Sequence, residues 1–136
     1  MDETMTNKTL FDFFGSDAEF EHIGMAVKSI ESIDRTITKI CDPIQRVNVA
    51  FIRVNGIELE LVEPAGDDSP IKGVLEKGQS FYHLCFRVKN IENAIAYARK
   101  KGFHCIAKPV SAAAFNDRKI AWLYNINFGL FELVEA

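Results

Sequence analysis

The sequence predicts an α+β domain made of two βαβββ modules, related by pseudo-twofold symmetry, whose strands form one curved mixed sheet around a cleft. The main observation is an internal repeat, because three pairs of segments recur in the same order. The pairs are residues 21–32 with 82–93, residues 50–53 with 121–124, and residues 60–63 with 132–135, at offsets of 61, 71 and 72 residues. Three similarities in one order indicate a duplication. Strand periodicity and helix caps support it.

Apolar residues alternate with other residues in the segments that predict strands, since successive side chains of a strand point to opposite faces. The hairpin of the first module is signalled by Asn55-Gly56, a strong two-residue turn sequence. The alternation predicts strands at residues 22–27, 47–54 and 57–63 in the first module, and at residues 83–88, 105–110, 119–124 and 130–134 in the second.

A helix-capping residue follows the first strand of each module. Ser29 and Asn90 are side chains that accept hydrogen bonds at helix N-termini, and they predict helices of about 10–12 residues. The first helix is predicted to run to about Ile40, and the second from Ile91 to Lys101.

The repeat divides the chain into an N-terminal extension and one domain. The extension covers residues 1–19, and the domain covers residues 20–136. Within the domain, module one spans residues 20–63, a linker spans 64–80, and module two spans 81–136. Residues 10–14 are too apolar for a free tail, so we expect them to dock on the domain or on a partner subunit.

Composition and charge exclude several classes of partner. The net charge of -3 argues against nucleic acid, which usually selects a basic surface. No apolar run reaches the roughly 18 residues that span a membrane. The N-terminus is acidic and polar, unlike a signal peptide. The three cysteines form no CxxC pair, which favours reduced thiols and a cytoplasmic location.

The residues that carry chemistry are the repeated histidines and glutamates. Alternation places His22 and His83 on the face opposite their apolar neighbours, and Glu60 and Glu132 on the same concave face. A lone strand histidine is more often a satisfied polar residue than a ligand, but here both pairs recur together. Two imidazoles and two carboxylates suit Zn, Mn, Fe, Co or Ni. The sequence therefore predicts one divalent metal ion per domain.

Four larger side chains are expected on the same concave face and form the predicted substrate-binding set. They are Phe51 and Arg53 in the first module, and Trp122 and Tyr124 in the second. Arg53 is able to hold a carboxylate or phosphate in a fork, although a solvent-facing strand arginine is an equally good interpretation. His104 does not recur, and we interpret it as structural or exposed.

These motifs resemble the vicinal oxygen chelate superfamily, which includes glyoxalases, bleomycin-resistance proteins and extradiol dioxygenases. The resemblance covers about residues 20–136 and is greatest to the branch of methylmalonyl-CoA epimerases and small bacterial glyoxalase-like proteins (lactoylglutathione lyase-like). It depends on four blocks: His-Ile-Gly-Met-Ala-Val from His22, Glu-Leu-Val-Glu-Pro from Glu60, Tyr-His-Leu-Cys-Phe-Arg-Val from Tyr82, and Phe-Glu-Leu-Val-Glu from Phe131. It implies that His22, Glu60, His83 and Glu132 are metal ligands.

The resemblance also implies a reaction. A metal that polarises a carbonyl lowers the pKa of the neighbouring C–H and stabilises an enediolate. We expect an isomerase or lyase that moves a proton alpha to a carbonyl, with Glu132 as the base and Glu60 as second choice. The substrate would be a small molecule, either an acyl-CoA or a glutathione hemithioacetal, and the assembly a homodimer. The alternatives are a non-catalytic binding or resistance protein and, less favoured, an extradiol-type dioxygenase.

Overall fold

The computed structural model describes residues 9–136 and confirms the α+β class. A single nine-stranded sheet carries three short helices and one 3₁₀ turn. In chain order the elements are β1 (Glu19–Ala26), α1 (Ile30–Ile33), β2 (Ile40–Asp42), β3 (Val47–Val54), β4 (Ile57–Pro64), α2 (Ile71–Glu76), β5 (Phe81–Val88), α3 (Ile91–Arg99), β6 (His104–Cys105), β7 (Val110–Ala112), the 3₁₀ turn (Ala113–Phe115), β8 (Arg118–Asn125) and β9 (Gly129–Glu135).

The strand order is symmetric about the centre of the sheet. It runs β2-β3-β4-β1-β5-β9-β8-β6, with β7 paired to β8. In each half the first strand lies parallel to the last one, β1 to β4 and β5 to β9, and the last two strands of each half are antiparallel. The two halves meet at the antiparallel pair β1–β5. Both first strands, which carry the repeated histidines, therefore lie side by side at the centre.

The predicted hairpin of the first module is confirmed. Strands β3 and β4 pair in continuous register from Val47 opposite Pro64 to Val54 opposite Ile57. The connecting residues Asn55 and Gly56 have φ values of 50° and 87°. A tight turn of this hand needs left-handed backbone at both central positions, which asparagine and glycine accept most readily.

The prediction for the first helix is wrong in length. Helix α1 has four residues and ends at Asp34, whose Oδ1 accepts hydrogen bonds from the backbone N–H and the hydroxyl of Thr36. This local turn competes with helix propagation, and the β-branched residues that follow favour extended backbone. Residues 40–42 accordingly form strand β2. Helix α3 agrees better with its prediction, since it covers nine residues and begins at Asn90.

The strand predicted at residues 105–110 is also wrong as a continuous element. It is divided into β6 and β7, which pair with different parts of β8. Pro109 lies in the gap and has no N–H to donate to the sheet. The N–H of Ile106 still donates to the carbonyl of Trp122 in β8, at 2.9 Å. The chain then leaves β8 and pairs with it again from Val110.

The second glutamate of each Glu-Leu-Val-Glu copy holds the start of a helix. The carboxylate of Glu63 accepts from the N–H of Ile30 at 2.7 Å, and that of Glu135 accepts from the N–H of Ile91 at 2.9 Å. The first N–H groups of a helix have no partner within it, so a carboxylate there satisfies a donor and complements the helix dipole. Each last strand is thereby joined to the helix of its own module.

Residues 12–14 of the N-terminal extension dock on the domain, which was one of the two predicted alternatives, while residues 1–8 lie outside the described part of the chain. Phe14 is 4% exposed and belongs to the core beneath α3. The ring of Phe13 lies 5.0 Å from the rings of both Phe103 and Phe128. The hydroxyl of Tyr97 donates to Asp12 at 3.0 Å. Within residues 9–136, no helix has both the length and the apolar character needed to span a membrane.

Candidate metal centre

Four residues from the four central strands converge on one point. They are His22, Glu60, His83 and Glu132, all buried, and one donor atom of each lies within 4.8 Å of the others. The two histidine Nε2 atoms are 3.1 Å apart. Glu132 Oε1 lies 3.2 Å from Nε2 of His22 and 3.1 Å from Nε2 of His83. The structure thus brings together all four residues that the repeat singled out.

The antiparallel seam between β1 and β5 positions the histidines. His22 lies opposite Cys85, and His83 lies opposite Gly24. A Cβ atom on Gly24 would lie 1.9 Å from Cε1 of His83, a distance that no real contact permits. The imidazole of His83 therefore occupies the space above Gly24 and needs a residue without a side chain there.

The flanking strands position the carboxylates. Glu60 in β4 lies beside Gly24, and Glu132 in β9 lies beside Cys85. Because both flanking strands run parallel to the first strand of their own module, the carboxylates lie at equivalent depths on either side of the seam. The site is built twice from the same local arrangement.

Burial and close contact set the charges of the cluster. Burial alone would lower the pKa of His22, but the carboxylates of Glu132 and Glu60 raise it to about 10. Burial and the charge of Glu132 raise the pKa of Glu60. Burial would also raise the pKa of Glu132, yet the two imidazoles lower it to about 2. The two carboxylates thus favour the protonated form of His22, and the two imidazoles favour the ionised form of Glu132.

The geometry of these contacts fits a divalent cation. Glu132 Oε1 is buried and close to both imidazole nitrogens, yet its angles to them do not make a hydrogen bond. A buried carboxylate oxygen without a hydrogen-bond partner, beside two imidazole nitrogens, is an arrangement that a cation satisfies. Two nitrogen and two carboxylate oxygen donors are a ligand set suited to Zn and other first-row ions. A cation bound here would replace the proton on His22.

Aromatic rings surround the cluster. Phe115, in the 3₁₀ turn, stacks on the imidazole of His22 with centroids 5.7 Å apart and planes inclined by 13°. Phe51 meets the same imidazole edge-on at 5.7 Å. Trp122 and Tyr82 approach His83 edge-on at 4.8 and 4.5 Å. The rings exclude water, so charges in the cluster interact more strongly than at the surface.

A cavity of about 250 Å³ opens onto the two carboxylates. Its walls are mostly aliphatic and aromatic, and Glu60 and Glu132 are among its lining residues. The remaining polar or aromatic lining residues are Asp42, Gln45, Tyr82, Phe115 and Trp122. An apolar cavity with a few converging polar groups is typical of a small-molecule site.

The predicted substrate-binding residues divide into two pairs. Phe51 lies opposite Glu60 and Trp122 lies opposite Glu132 in the sheet, so both adjoin the metal cluster. Arg53 lies farther along β3, where its exposed guanidinium pairs with Glu58 at 3.2 Å. Tyr124 is 44% exposed. Of the four predicted residues only Trp122 lines the cavity, and Phe51, Arg53 and Tyr124 do not. His104 is exposed, as interpreted from the sequence.

Sequence reasoning missed several residues that line the cavity. Tyr82 precedes His83, and simple alternation would place it on the other face. The register shifts between Gly24 and Met25, which leaves Tyr82 as an extra residue in β5 that also lines the cavity. Burial and the charges of Glu60 and Glu132 raise its pKa well above the ordinary value, so its hydroxyl stays protonated. No local sequence signal marks such a shift.

The chain is similar to known proteins of one superfamily. A model of the glyoxalase/bleomycin resistance protein/dioxygenase superfamily matches residues 21–122. The mitochondrial methylmalonyl-CoA epimerase of Homo sapiens is 32% identical over 98 residues, which are 69% of this chain and 55% of that protein. The ethylmalonyl-CoA/methylmalonyl-CoA epimerase of Cereibacter sphaeroides is 27% identical over 64% of this chain and 66% of its own length. The chain spans about half the length of the human, mouse and bovine mitochondrial relatives it matches.

Solved structures share the fold. A hypothetical protein from Bacillus halodurans has a TM-score of 0.73 and 28% identity, over 89% of this chain and 96% of its own. A methylmalonyl-CoA epimerase in complex with methylmalonyl-CoA and NH4+ has the same TM-score and coverage at 22% identity, which shows the fold alone. With a family match that covers most of the chain, this protein belongs to the glyoxalase/bleomycin resistance protein/dioxygenase superfamily.

Proposed function

We propose that this chain is a metal-dependent isomerase that moves a proton alpha to the thioester carbonyl of an acyl-CoA, in the manner of a methylmalonyl-CoA epimerase. The observation that carries the proposal is the convergence of two histidines and two glutamates, of which the two glutamates line an apolar cavity. The similarity to relatives named as methylmalonyl-CoA epimerases supports the substrate class.

The metal ligands in this proposal are His22, Glu60, His83 and Glu132. A divalent cation held by them would supply a Lewis acid, which lowers the pKa of the C–H group next to a carbonyl. Trp122, which lines the cavity beside Glu132, would hold the reacting part of the substrate, and Phe51 would pack behind the cluster against His22. The aromatic walls would keep water away from the carbanionic intermediate.

Glu132 is the proposed base and Glu60 its partner. Glu132 lines the cavity, so its carboxylate is able to accept the alpha proton while the C–H electron pair moves toward the carbonyl. Glu60 lines the same cavity from the other module. Glu60 would return a proton to the other face of the same carbon, which inverts it.

The test compares metal content, turnover and isotope exchange on one preparation. The wild type, loaded with Zn, Mn, Co, Ni or Fe, is assayed with methylmalonyl-CoA in deuterated water, where deuterium should enter the alpha carbon. Glu132→Gln should keep some metal, because the amide oxygen still coordinates, and should lose turnover by about 10²–10⁴-fold. A variant that exchanges as fast as the wild type with its metal intact would make Glu132 a ligand only, and Glu60 the next base to examine.

A parallel assay with methylglyoxal and glutathione separates the epimerase proposal from the hemithioacetal alternative. Turnover of that mixture without turnover of methylmalonyl-CoA would replace the first proposal by a lyase. Metal uptake without either reaction would favour the non-catalytic binding protein. The homodimer and the cytoplasmic location stay predictions from the sequence.

A further inference from the structure

The cavity has a second polar region, formed by the turn that follows β2. Asp42 ends β2 and is 3% exposed, and Gln45 lies three residues later. Both side chains line the cavity together with Glu60 and Glu132. The curved sheet brings this turn across to module two, where the indole of Trp122 donates to Gln45 Oε1 at 3.3 Å. The ring centroid of the same indole lies 4.8 Å from that of His83, so Trp122 contacts both the turn and the metal cluster.

Hydrogen bonds determine which atoms of this turn remain available to a ligand. Asp42 Oδ1 accepts from the N–H of Gln45 at 3.0 Å. An indole nitrogen only donates, so the contact with Trp122 must be to the oxygen of the Gln45 amide. Asp42 Oδ2 and Gln45 Nε2 are left without a hydrogen-bond partner or ion pair among residues 9–136. Neither atom is among the fully buried, unpartnered atoms, so both have accessible surface, and both residues line the cavity. One is an acceptor and the other a donor.

The charge of the cavity restricts what this pair would bind. Within the described chain the lining contains no lysine or arginine, and its charged groups are the carboxylates of Asp42, Glu60 and Glu132. An anionic group would therefore be repelled from the β2 turn. A neutral group that both donates and accepts would satisfy the two available atoms, and a secondary amide is the simplest such group in acyl thioester chemistry.

We propose that Asp42 and Gln45 recognise a secondary amide in the thiol arm of the substrate, with Asp42 Oδ2 accepting from the amide N–H and Gln45 Nε2 donating to the amide carbonyl. The inference rests on the proposed function, because it places the thioester at the metal and the arm along the cavity. It makes these two residues determinants of specificity for the arm, without a role in proton transfer. The thiol arm of coenzyme A contains amides of this kind.

The competing explanation is that Asp42 only caps its own turn, and two substitutions separate the explanations. Asp42→Asn keeps an oxygen for the N–H of Gln45 and replaces Oδ2 by an N–H₂ group, which would face the amide N–H of the ligand. Gln45→Glu keeps an oxygen for Trp122 and replaces Nε2 by an oxygen, which would face the ligand carbonyl. Asp34→Asn is the matched control. Like Asp42, Asp34 accepts a hydrogen bond from a nearby backbone N–H, that of Thr36, but it lies at the exposed end of α1.

Two probes isolate the amide. They are the propionyl thioester of N-acetylcysteamine and S-pentyl thiopropionate, in which two methylene groups replace the amide. Binding to the full-length, metal-free chain is followed by the emission of Trp122, the only tryptophan of the sequence. Neither probe needs turnover or metal, so the result is independent of the assays for the proposed function. The measured quantity is the ratio of the two dissociation constants, which cancels the general affinity of the cavity for apolar chains.

We expect the dissociation constant of the amide probe, divided by that of the pentyl probe, to rise by about tenfold in Asp42→Asn and in Gln45→Glu. This is the effect of one replaced hydrogen bond in a desolvated site. Asp34→Asn should leave the ratio of the wild type unchanged. An unchanged ratio in either cavity variant, the same shift in Asp34→Asn, or no binding of the amide probe to the wild type would overturn the proposal. A shifted ratio in a protein that does not turn over methylmalonyl-CoA would retain the amide site and reject the reaction.

Discussion

The two modules share the positions that face the metal cluster and differ in the elements around them. In each module the first strand supplies a histidine, the last strand supplies a glutamate, and a second glutamate caps the helix. The helices differ, because α1 has four residues and α3 has nine. In module one the shortened helix is followed by β2 and by the turn that carries Asp42 and Gln45. In module two the corresponding region carries the 3₁₀ turn with Phe115.

This difference separates two demands on the fold. A four-ligand cluster needs donors at equal depth on both sides of the seam, which two equal sets of strands provide. A cavity for an asymmetric substrate needs unequal walls. Module one supplies a polar turn there, and module two supplies an aromatic ring that stacks on His22. The repeat thus serves the metal cluster, and the departures from it shape the cavity.

The largest expected effect tests whether the modules contribute equally to metal binding. His22→Ala and His83→Ala should each abolish stoichiometric metal uptake, because each removes one of four donors and leaves a buried carboxylate cluster without compensation. Metal content after dialysis against a trace-metal buffer measures the effect. His104→Ala is the control, since that histidine is exposed and should bind metal as the wild type does. Retention of tight binding in either module variant would contradict the assignment of the four ligands.

A smaller effect should reveal an asymmetry across the seam. Gly24→Ala places a methyl group where His83 lies, so the imidazole must move and metal affinity should fall by about 10–100-fold, the range for disturbed ligand orientation. Cys85 is the equivalent position opposite His22 and already carries a Cβ atom. Cys85→Ala should therefore leave metal affinity close to that of the wild type. Metal titration measures the metal affinity of both variants. Equal losses of metal affinity would show that His22 and His83 have the same amount of space opposite them in the sheet.

The smallest expected effect concerns the helix caps and their pH dependence. Glu63 accepts from Ile30, Asn48 and Lys39, whereas Glu135 makes only the bond to Ile91 among the described residues. Glu63→Gln should lower the free energy of unfolding at pH 7 by about 1.5–3 kcal/mol, and Glu135→Gln by about half as much.

The sign of the pH effect follows from the pKa of Glu63. Burial opposes ionisation, but the hydrogen bonds and Lys39 lower the pKa of Glu63 below its ordinary value of 4.5. A lowered folded-state pKa stabilises the fold above pH 4.5 and loses this contribution as the pH falls through the folded-state value. The difference between wild type and Glu63→Gln in urea unfolding should therefore shrink as the pH falls below 4.5. A difference that stays constant over this range would show that the charge of Glu63 does not stabilise the fold.

Local sequence signals predicted the parts of the molecule that depend on neighbours along the chain. The Asn55-Gly56 turn, the Asn90 cap and the alternation around His22 all came out as expected, because each depends on a few consecutive residues. Helix α1 ends at Asp34 because a local turn, in which Asp34 accepts from the N–H of Thr36, is more stable there than a further helical turn. The residue types alone did not show which of the two would be more stable. Arg53 lies outside the cavity and pairs with Glu58. The alternation of side chains along a strand predicts the face on which Arg53 lies, but not where along the strand the cavity ends.

The sequence by itself determined the duplication, the common face of His22, Glu60, His83 and Glu132 and their identities as the converging residues, since repetition and the alternation of side chains along a strand are properties of the chain alone. Only the tertiary structure decided that β1 and β5 pair antiparallel, that Tyr82 is displaced into the cavity, and that Asp42 and Gln45 lie across from Trp122. These features join residues far apart in sequence. Their energies come from packing and pairing that no local pattern contains.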